Sequence, residues 1–154
     1  MYQFQVAIRA LPADLAPGPV AQLESVSVRP LEVASTQLDL PLPVSFEATC
    51  AELSSWPRMF IEPDGAFVWT AGQRDDPSSS YWQLDGCLFD RRGSLLVVEV
   101  RGRCPPQACD ELLTVLGWPA TPLLFEMSSL GMFVLEEDFR KLAAAGIGRG
   151  PQDE

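Results

Sequence analysis

The residues whose types and spacing could support a reaction lie in one predicted β-hairpin. Its strands are expected at residues 81–89 and 94–101, separated by the segment Asp-Arg-Arg-Gly. A three-residue loop with Gly93 in the left-handed conformation would pair Asp90 with Ser94. The register of this hairpin decides which polar side chains meet across it, because successive residues of a strand point to opposite faces.

This register places an uninterrupted apolar face toward the core, made of Leu84, Gly86, Leu88, Leu96, Val98 and Val100. The other face then carries Asp85 directly opposite Glu99, and Gln83 opposite Arg101. Like charges that face each other across a sheet are destabilising, so two opposed carboxylates need a shared proton, a bridging arginine or a metal ion. Phosphodiester hydrolysis uses Mg²⁺ or Mn²⁺ held by carboxylates, water and phosphate oxygens. Arg101 would stabilise negative charge developing on the phosphate.

The two strands, residues 82–88 (WQLDGCL) and 96–102 (LVVEVRG), resemble the catalytic hairpin of the PD-(D/E)xK nuclease superfamily. That pattern has an aspartate on one strand and E-x-K on the next, followed by a helix and a further strand. The predicted helix at 105–116 and the apolar run at 123–127 continue this order. The resemblance covers residues 58–127. It implies that Asp85 and Glu99 bind Mg²⁺ or Mn²⁺.

By the same resemblance Arg101 stands where the family has lysine, and Gln83 lies beside it as a further candidate catalytic residue. Arginine cannot act as a neutral base at any accessible pH. The resemblance therefore implies either a metal-dependent nuclease or a nuclease fold that has lost activity.

Two alternatives remain open. In the first, Asp85, Glu99 and Arg101 form a solvated cluster that contributes little to stability. A four-residue loop would also exclude a shared site, because it would shift the register by one residue and place Asp85 and Glu99 on opposite faces. In the second, the chain is a non-catalytic acidic module that binds another protein, or a second copy of itself, through a sheet edge or an aromatic surface. The aromatic candidates are Trp56, Trp69, Tyr81, Trp82 and Trp118.

Charge and composition narrow the function classes. The net charge of −10, from 21 acidic and 11 basic residues, disfavours non-specific binding to nucleic acid and favours a protein partner or self-association. The absence of histidine excludes Ser-His-Asp and Cys-His mechanisms. The four cysteines are expected to be free thiols. Without a signal peptide or a long apolar run, we expect no membrane association and a cytoplasmic location.

The fold class predicted by these patterns is α+β: a mixed, mostly antiparallel sheet built from hairpins, with two C-terminal helices packed on it. Residues 1–147 are expected to form one domain, with a β-rich part at 1–50 and a hairpin–helix–strand core at 58–127. The proline residues of the segment 38–49 indicate an edge strand or extended chain. One short helical turn is expected around Glu52. Residues 148–154 are expected to be a disordered tail.

Overall fold

A nine-stranded sheet forms the centre of the computed structural model, which describes residues 1–150. Its strand order is β2-β5-β11-β10-β1-β9-β8-β7-β6, and its neighbouring strands pair in the antiparallel sense. A separate hairpin joins β3 to β4. The strands are β1 (Tyr2–Ala10), β2 (Ala16–Pro17), β3 (Ala21–Leu23), β4 (Val26–Val28), β5 (Leu31–Glu32), β6 (Met59–Ile61), β7 (Ala66–Ala71), β8 (Trp82–Arg91), β9 (Ser94–Cys104), β10 (Leu123–Met127) and β11 (Met132–Val134).

Three α-helices accompany the sheet: α1 (Phe46–Ser54), α2 (Pro106–Val115) and α3 (Glu136–Ala145). A short 3-10 helix precedes them at Ser35–Asp39. The hydroxyl of Ser45 accepts a hydrogen bond from the Ala48 N–H at 3.0 Å and thereby caps α1. Gly146 ends α3 in the left-handed conformation. No helix among residues 1–150 is both long and apolar enough to cross a lipid bilayer.

The first strand of the chain lies in the middle of the sheet. β1 pairs with β9 on one side and with β10 on the other. Because β9 and β10 are both antiparallel to β1, they run parallel to each other, and α2 makes the crossover between them. The strand that follows α2 is therefore separated from the hairpin by β1.

One face of the sheet, with the helices against it, forms the core. Phe4 and Phe125 contact Phe139 of α3, with ring centroids 5.3 and 4.4 Å apart. At the other end Trp69 contacts Trp56 and Trp82, with centroids 4.8 and 4.9 Å apart. Aromatic pairs at such distances add to the energy of burial.

The predicted fold class is confirmed: the protein is α+β, with a mostly antiparallel sheet built from hairpins and two helices in its C-terminal part. The prediction for residues 38–49 was wrong at both ends, because residues 38–39 belong to the 3-10 helix and α1 begins at Phe46 and continues through Glu52. The stretch between the two helices is not helical, and there the Leu42 N–H donates to the Leu95 carbonyl and the Leu95 N–H donates to the Val44 carbonyl. Of the predicted tail, residues 151–154 lie outside the described residues, while Gly148 and Gly150 pack against Leu130 and Gln5.

Candidate functional site

The hairpin of β8 and β9 turns more tightly than predicted. Arg91 pairs with Ser94, so the turn consists of Arg92 and Gly93, which have φ values of 54° and 88°. Positive φ at both positions is typical of the tight turn that joins twisted antiparallel strands. An irregularity next to Phe89 then shifts the register once more.

The predicted pairings across this hairpin were therefore wrong. Asp90 lies opposite Leu95, Asp85 lies opposite Arg101, and Glu99 lies opposite Cys87. The tighter turn moves the register by one residue and the bulge moves it by one more. Since a shift of two preserves the side-chain faces, the polar residues remain together on the face that the sequence predicts.

Asp85, Glu99 and Arg101 line one open cavity of about 370 Å³ on that face, which we call the polar cavity. β1 supplies Gln5, which pairs with Arg101, and Ser128 lies at the rim. Asp85 is half-buried, whereas Glu99 and Arg101 are exposed. The fourth predicted residue, Gln83, does not line the cavity.

Gln83 acts on the cavity through a hydrogen-bonded chain. Its side-chain amide donates to Oδ1 of Asp85 at 2.9 Å, and its carbonyl oxygen accepts from the hydroxyl of Tyr81. The three side chains are half-buried. Gln83 therefore orients the Asp85 carboxylate, which lines the cavity.

Cys87 also lines the polar cavity, but its environment keeps the thiol protonated. Burial raises the pKa of Cys87, and the negative charges of Asp64 and Glu99 raise it further. A thiolate is the form that attacks substrates or binds metals. Cys87 is therefore unsuited to either role at neutral pH.

The capacity of the cavity for a metal depends on two carboxylates. Asp85 lies opposite Arg101 and Glu99 lies opposite Cys87, so Asp85 and Glu99 are diagonal neighbours across the two strands. Such positions are about 7–8 Å apart in an antiparallel pair. Their side chains would have to converge to share an ion. Among residues 1–150, no group of three or more Asp, Glu, Cys or His side chains is arranged to hold a metal.

A second surface lies at the end of the sheet and was not predicted. β6 is the last strand of the described sheet, and its central residue, Phe60, is 70% exposed. Phe60 pairs with Val68 of β7, which is 36% exposed, and an open groove of about 540 Å³ runs beside both. We call Phe60, Val68 and the free side of β6 the β6 edge.

The predicted aromatic surface lies elsewhere than expected. Trp69 and Trp82 are buried, and Trp56, Tyr81 and Trp118 are half-buried. The sequence signal for Phe60 was its position between Met59 and Ile61 in a short segment with proline on either side, where alternation turns the central residue outward.

A scan against protein-family models finds no matching family, and searches of curated proteins and of solved structures find no similar protein. The resemblance to the PD-(D/E)xK superfamily therefore rests on the residues of the hairpin and on the order of the elements that follow it.

Proposed function

We propose that the chain is a non-catalytic protein-interaction module that binds through the β6 edge. The observation that carries this proposal is the 70% exposure of Phe60 on a terminal strand. Such edges present N–H and C=O groups that can pair with another strand, and natural proteins usually protect them. A phenylalanine at the centre of such an edge supplies apolar contact where strand addition supplies hydrogen bonds.

The net charge restricts the class of partner. The net charge of −10 disfavours binding to a polyanion such as nucleic acid. A protein segment that pairs with β6 carries no such restriction, because main-chain hydrogen bonds provide much of its affinity.

A photo-crosslinking residue at position 60 tests this proposal in cells that express the full chain. We expect adducts with protein from position 60 and none from position 144, because Ala144 is also exposed but lies on α3. An equal yield at both positions, or no adduct at position 60, would refute a binding role for the β6 edge.

A metal-dependent nuclease is the second candidate, and the shared polar cavity of Asp85, Glu99 and Arg101 favours it. In that role Asp85 and Glu99 would hold Mg²⁺ or Mn²⁺, and Arg101 would contact phosphate. Calorimetric titration with MnCl₂ tests it: the nuclease reading predicts saturable binding that the paired variants Asp85→Asn and Glu99→Gln each abolish. Heat equal to the dilution blank in the wild-type protein would remove this candidate.

A further inference from the structure

We infer that the partner of the β6 edge is a second copy of this chain, joined by antiparallel pairing of β6 with β6 about a two-fold axis at Phe60. This inference rests on the proposed function, because it names the occupant of the same surface. It is carried by the backbone alternation of β6, by the charges that flank Phe60, and by the prolines that limit the strand.

The backbone alternation shows which groups of β6 face outward. The Glu62 N–H donates to Ala66 and the Arg58 carbonyl accepts from Thr70, so the polar groups of residues 58, 60 and 62 point toward β7. The backbone N–H and C=O groups of Met59 and Ile61 must then point away from β7, toward the free side of β6. The Met59 N–H donates to the Trp56 carbonyl at 3.3 Å, which leaves the Met59 carbonyl and both groups of Ile61 directed to the free edge.

A two-fold axis at Phe60 matches these groups. It brings Met59 opposite Ile61 of the second copy, so each Ile61 N–H can donate to the Met59 carbonyl across the interface. Phe60 then faces Phe60 in a pair without hydrogen bonds, the arrangement in which Cα atoms are closest, at about 4.5 Å. The exposed Phe60 rings of the two copies then cover each other.

The same axis also pairs opposite charges. Arg58 falls opposite Glu62 of the second copy, and the symmetry produces this pair twice. Arg58 is exposed and precedes β6 with a φ of 60°, and its guanidinium donates to the Gly72 carbonyl at the end of β7. The pair with Glu62 of the second copy therefore requires the Arg58 side chain to turn from Gly72 toward the free edge, or to use the donors that Gly72 leaves unoccupied. A register shifted by two residues would lose these pairs and move the two phenylalanine residues apart.

The prolines make the interface short and closed. Pro57 and Pro63 flank the segment and have no N–H, so the ladder cannot extend past Arg58 and Glu62. A two-fold interface consumes the β6 edge of both copies and ends assembly at the dimer. Because the area is small, we expect a transient dimer that forms between about 10 µM and 1 mM protein.

Sedimentation equilibrium of the full chain over that range, at about 0.15 M salt to screen the net charge, tests the inference. We expect Phe60→Ala to weaken dimerisation at least tenfold. The reversals Arg58→Glu and Glu62→Arg should each weaken it about fivefold, because each creates two like-charge contacts. Glu137→Arg, at an exposed position on α3, makes the same charge change as Glu62→Arg and should leave the dissociation constant unchanged.

The double reversal Arg58→Glu/Glu62→Arg is the decisive variant. It restores opposite charges across the two-fold axis, so dimerisation should return to within threefold of wild type even though the bond to Gly72 is lost. A wild-type monomer at 1 mM, insensitivity to Phe60→Ala, or failure of the double reversal to restore dimers would overturn the inference. A monomer that still crosslinks another protein from position 60 would refute self-pairing and leave the proposed function standing.

Discussion

Replacing Gly86 with alanine would place a methyl group where the ring of Phe67 lies. Gly86 is in the middle of β8, between Phe67 on β7 and Val100 on β9. A Cβ atom there would lie 2.5 Å from Cε1 of Phe67 and 2.8 Å from the carbonyl oxygen of Glu99. Phe67 is only 3% exposed, so its ring cannot move without disturbing the core.

The size of the effect follows from two opposing terms. In a strand interior, alanine is otherwise favoured over glycine by about 0.5–1 kcal/mol. Overpacking a close-packed site costs about 1–3 kcal/mol, and here one clashing atom belongs to the backbone and cannot rotate away. We expect Gly86→Ala to lower the free energy of unfolding by about 1–2 kcal/mol. That corresponds to a fall of about 2–8 °C in melting temperature for a chain of this size.

A double-mutant cycle with Phe67→Ala isolates the contact. Phe67→Ala alone should cost about 3–5 kcal/mol, but it also makes room for a methyl group at position 86. Gly86→Ala should therefore become neutral or stabilising in that background. Gly93→Ala is the control: its Cβ would meet nothing within 4 Å, while its φ of +88° makes it costly through backbone strain alone.

Guanidinium unfolding, followed by tryptophan fluorescence, measures the coupling in the wild type, the two single variants and their double variant. The same measurement on Gly93→Ala, alone and combined with Phe67→Ala, completes the control cycle. We expect a coupling energy of about 1–3 kcal/mol between positions 67 and 86, and additivity within about 0.5 kcal/mol between 67 and 93. A Gly86→Ala variant as stable as wild type, or a coupling indistinguishable from the control, would refute the packing argument.

Two further predictions concern groups that the polar cavity does not use. The guanidinium of Arg140 contacts Asp110 at 2.7 Å and Glu136 at 2.9 Å. In urea unfolding we expect Arg140→Gln to lower the free energy of unfolding by about 1–3 kcal/mol, and Arg140→Lys to lower it by less. Equal stability of the wild type and both variants would contradict this prediction. Burial raises the pKa of Cys109 to about 12 and also raises the pKa of Cys104. Because the folded state holds these protons more tightly, the contribution of each thiol to the free energy of unfolding should be constant below about pH 9 and should then decrease as the pH rises. For Cys109 alone this loss reaches about 4 kcal/mol by pH 12, so stability should fall less steeply in Cys109→Ala than in the wild type. Identical pH profiles would contradict the assignment.

The sequence predicts the faces of the hairpin better than its register. The alternation of Leu84, Leu88, Val98 and Val100 identifies the buried side, and all four are buried. The prediction was wrong for Leu96, which is half-buried, while Leu95 is fully buried, because the bulge shifts the register by one residue at this end of the hairpin. However, two registers that differ by two residues bury the same side chains. The apolar pattern therefore selects the face and cannot choose between pairing Asp85 with residue 99 or with residue 101.

The turn would have settled the register, but its residues allow two geometries. Glycine at position 93 suits the left-handed end of a three-residue loop and also the second position of a two-residue turn. The latter requires Arg92 to adopt a φ of 54°, which few residues other than glycine do. Pairing along the rest of the hairpin overrides this local preference.

Helix α1 was predicted only as a short turn around Glu52, because neighbouring prolines dominated the pattern at its start. Pro41 and Pro43 indicate extended chain and do keep the preceding segment extended. The signals for the helix were Ser45 as a cap, and Thr49 and Leu53 four residues apart. These two are the only residues of α1 that are buried, so its apolar stripe is too short to outweigh the prolines.

The corrected register changes which surface needs a partner. Two opposed carboxylates would have carried an electrostatic cost that a metal ion relieves, and this cost was the physical reason to expect one. With Arg101 opposite Asp85 and Cys87 opposite Glu99, the two carboxylates are not directly opposed, and this reason to expect a metal ion is removed. The exposed ring of Phe60 on a terminal strand has no comparable internal explanation. A binding role at the β6 edge therefore accounts for more of the structure than a reaction in the polar cavity.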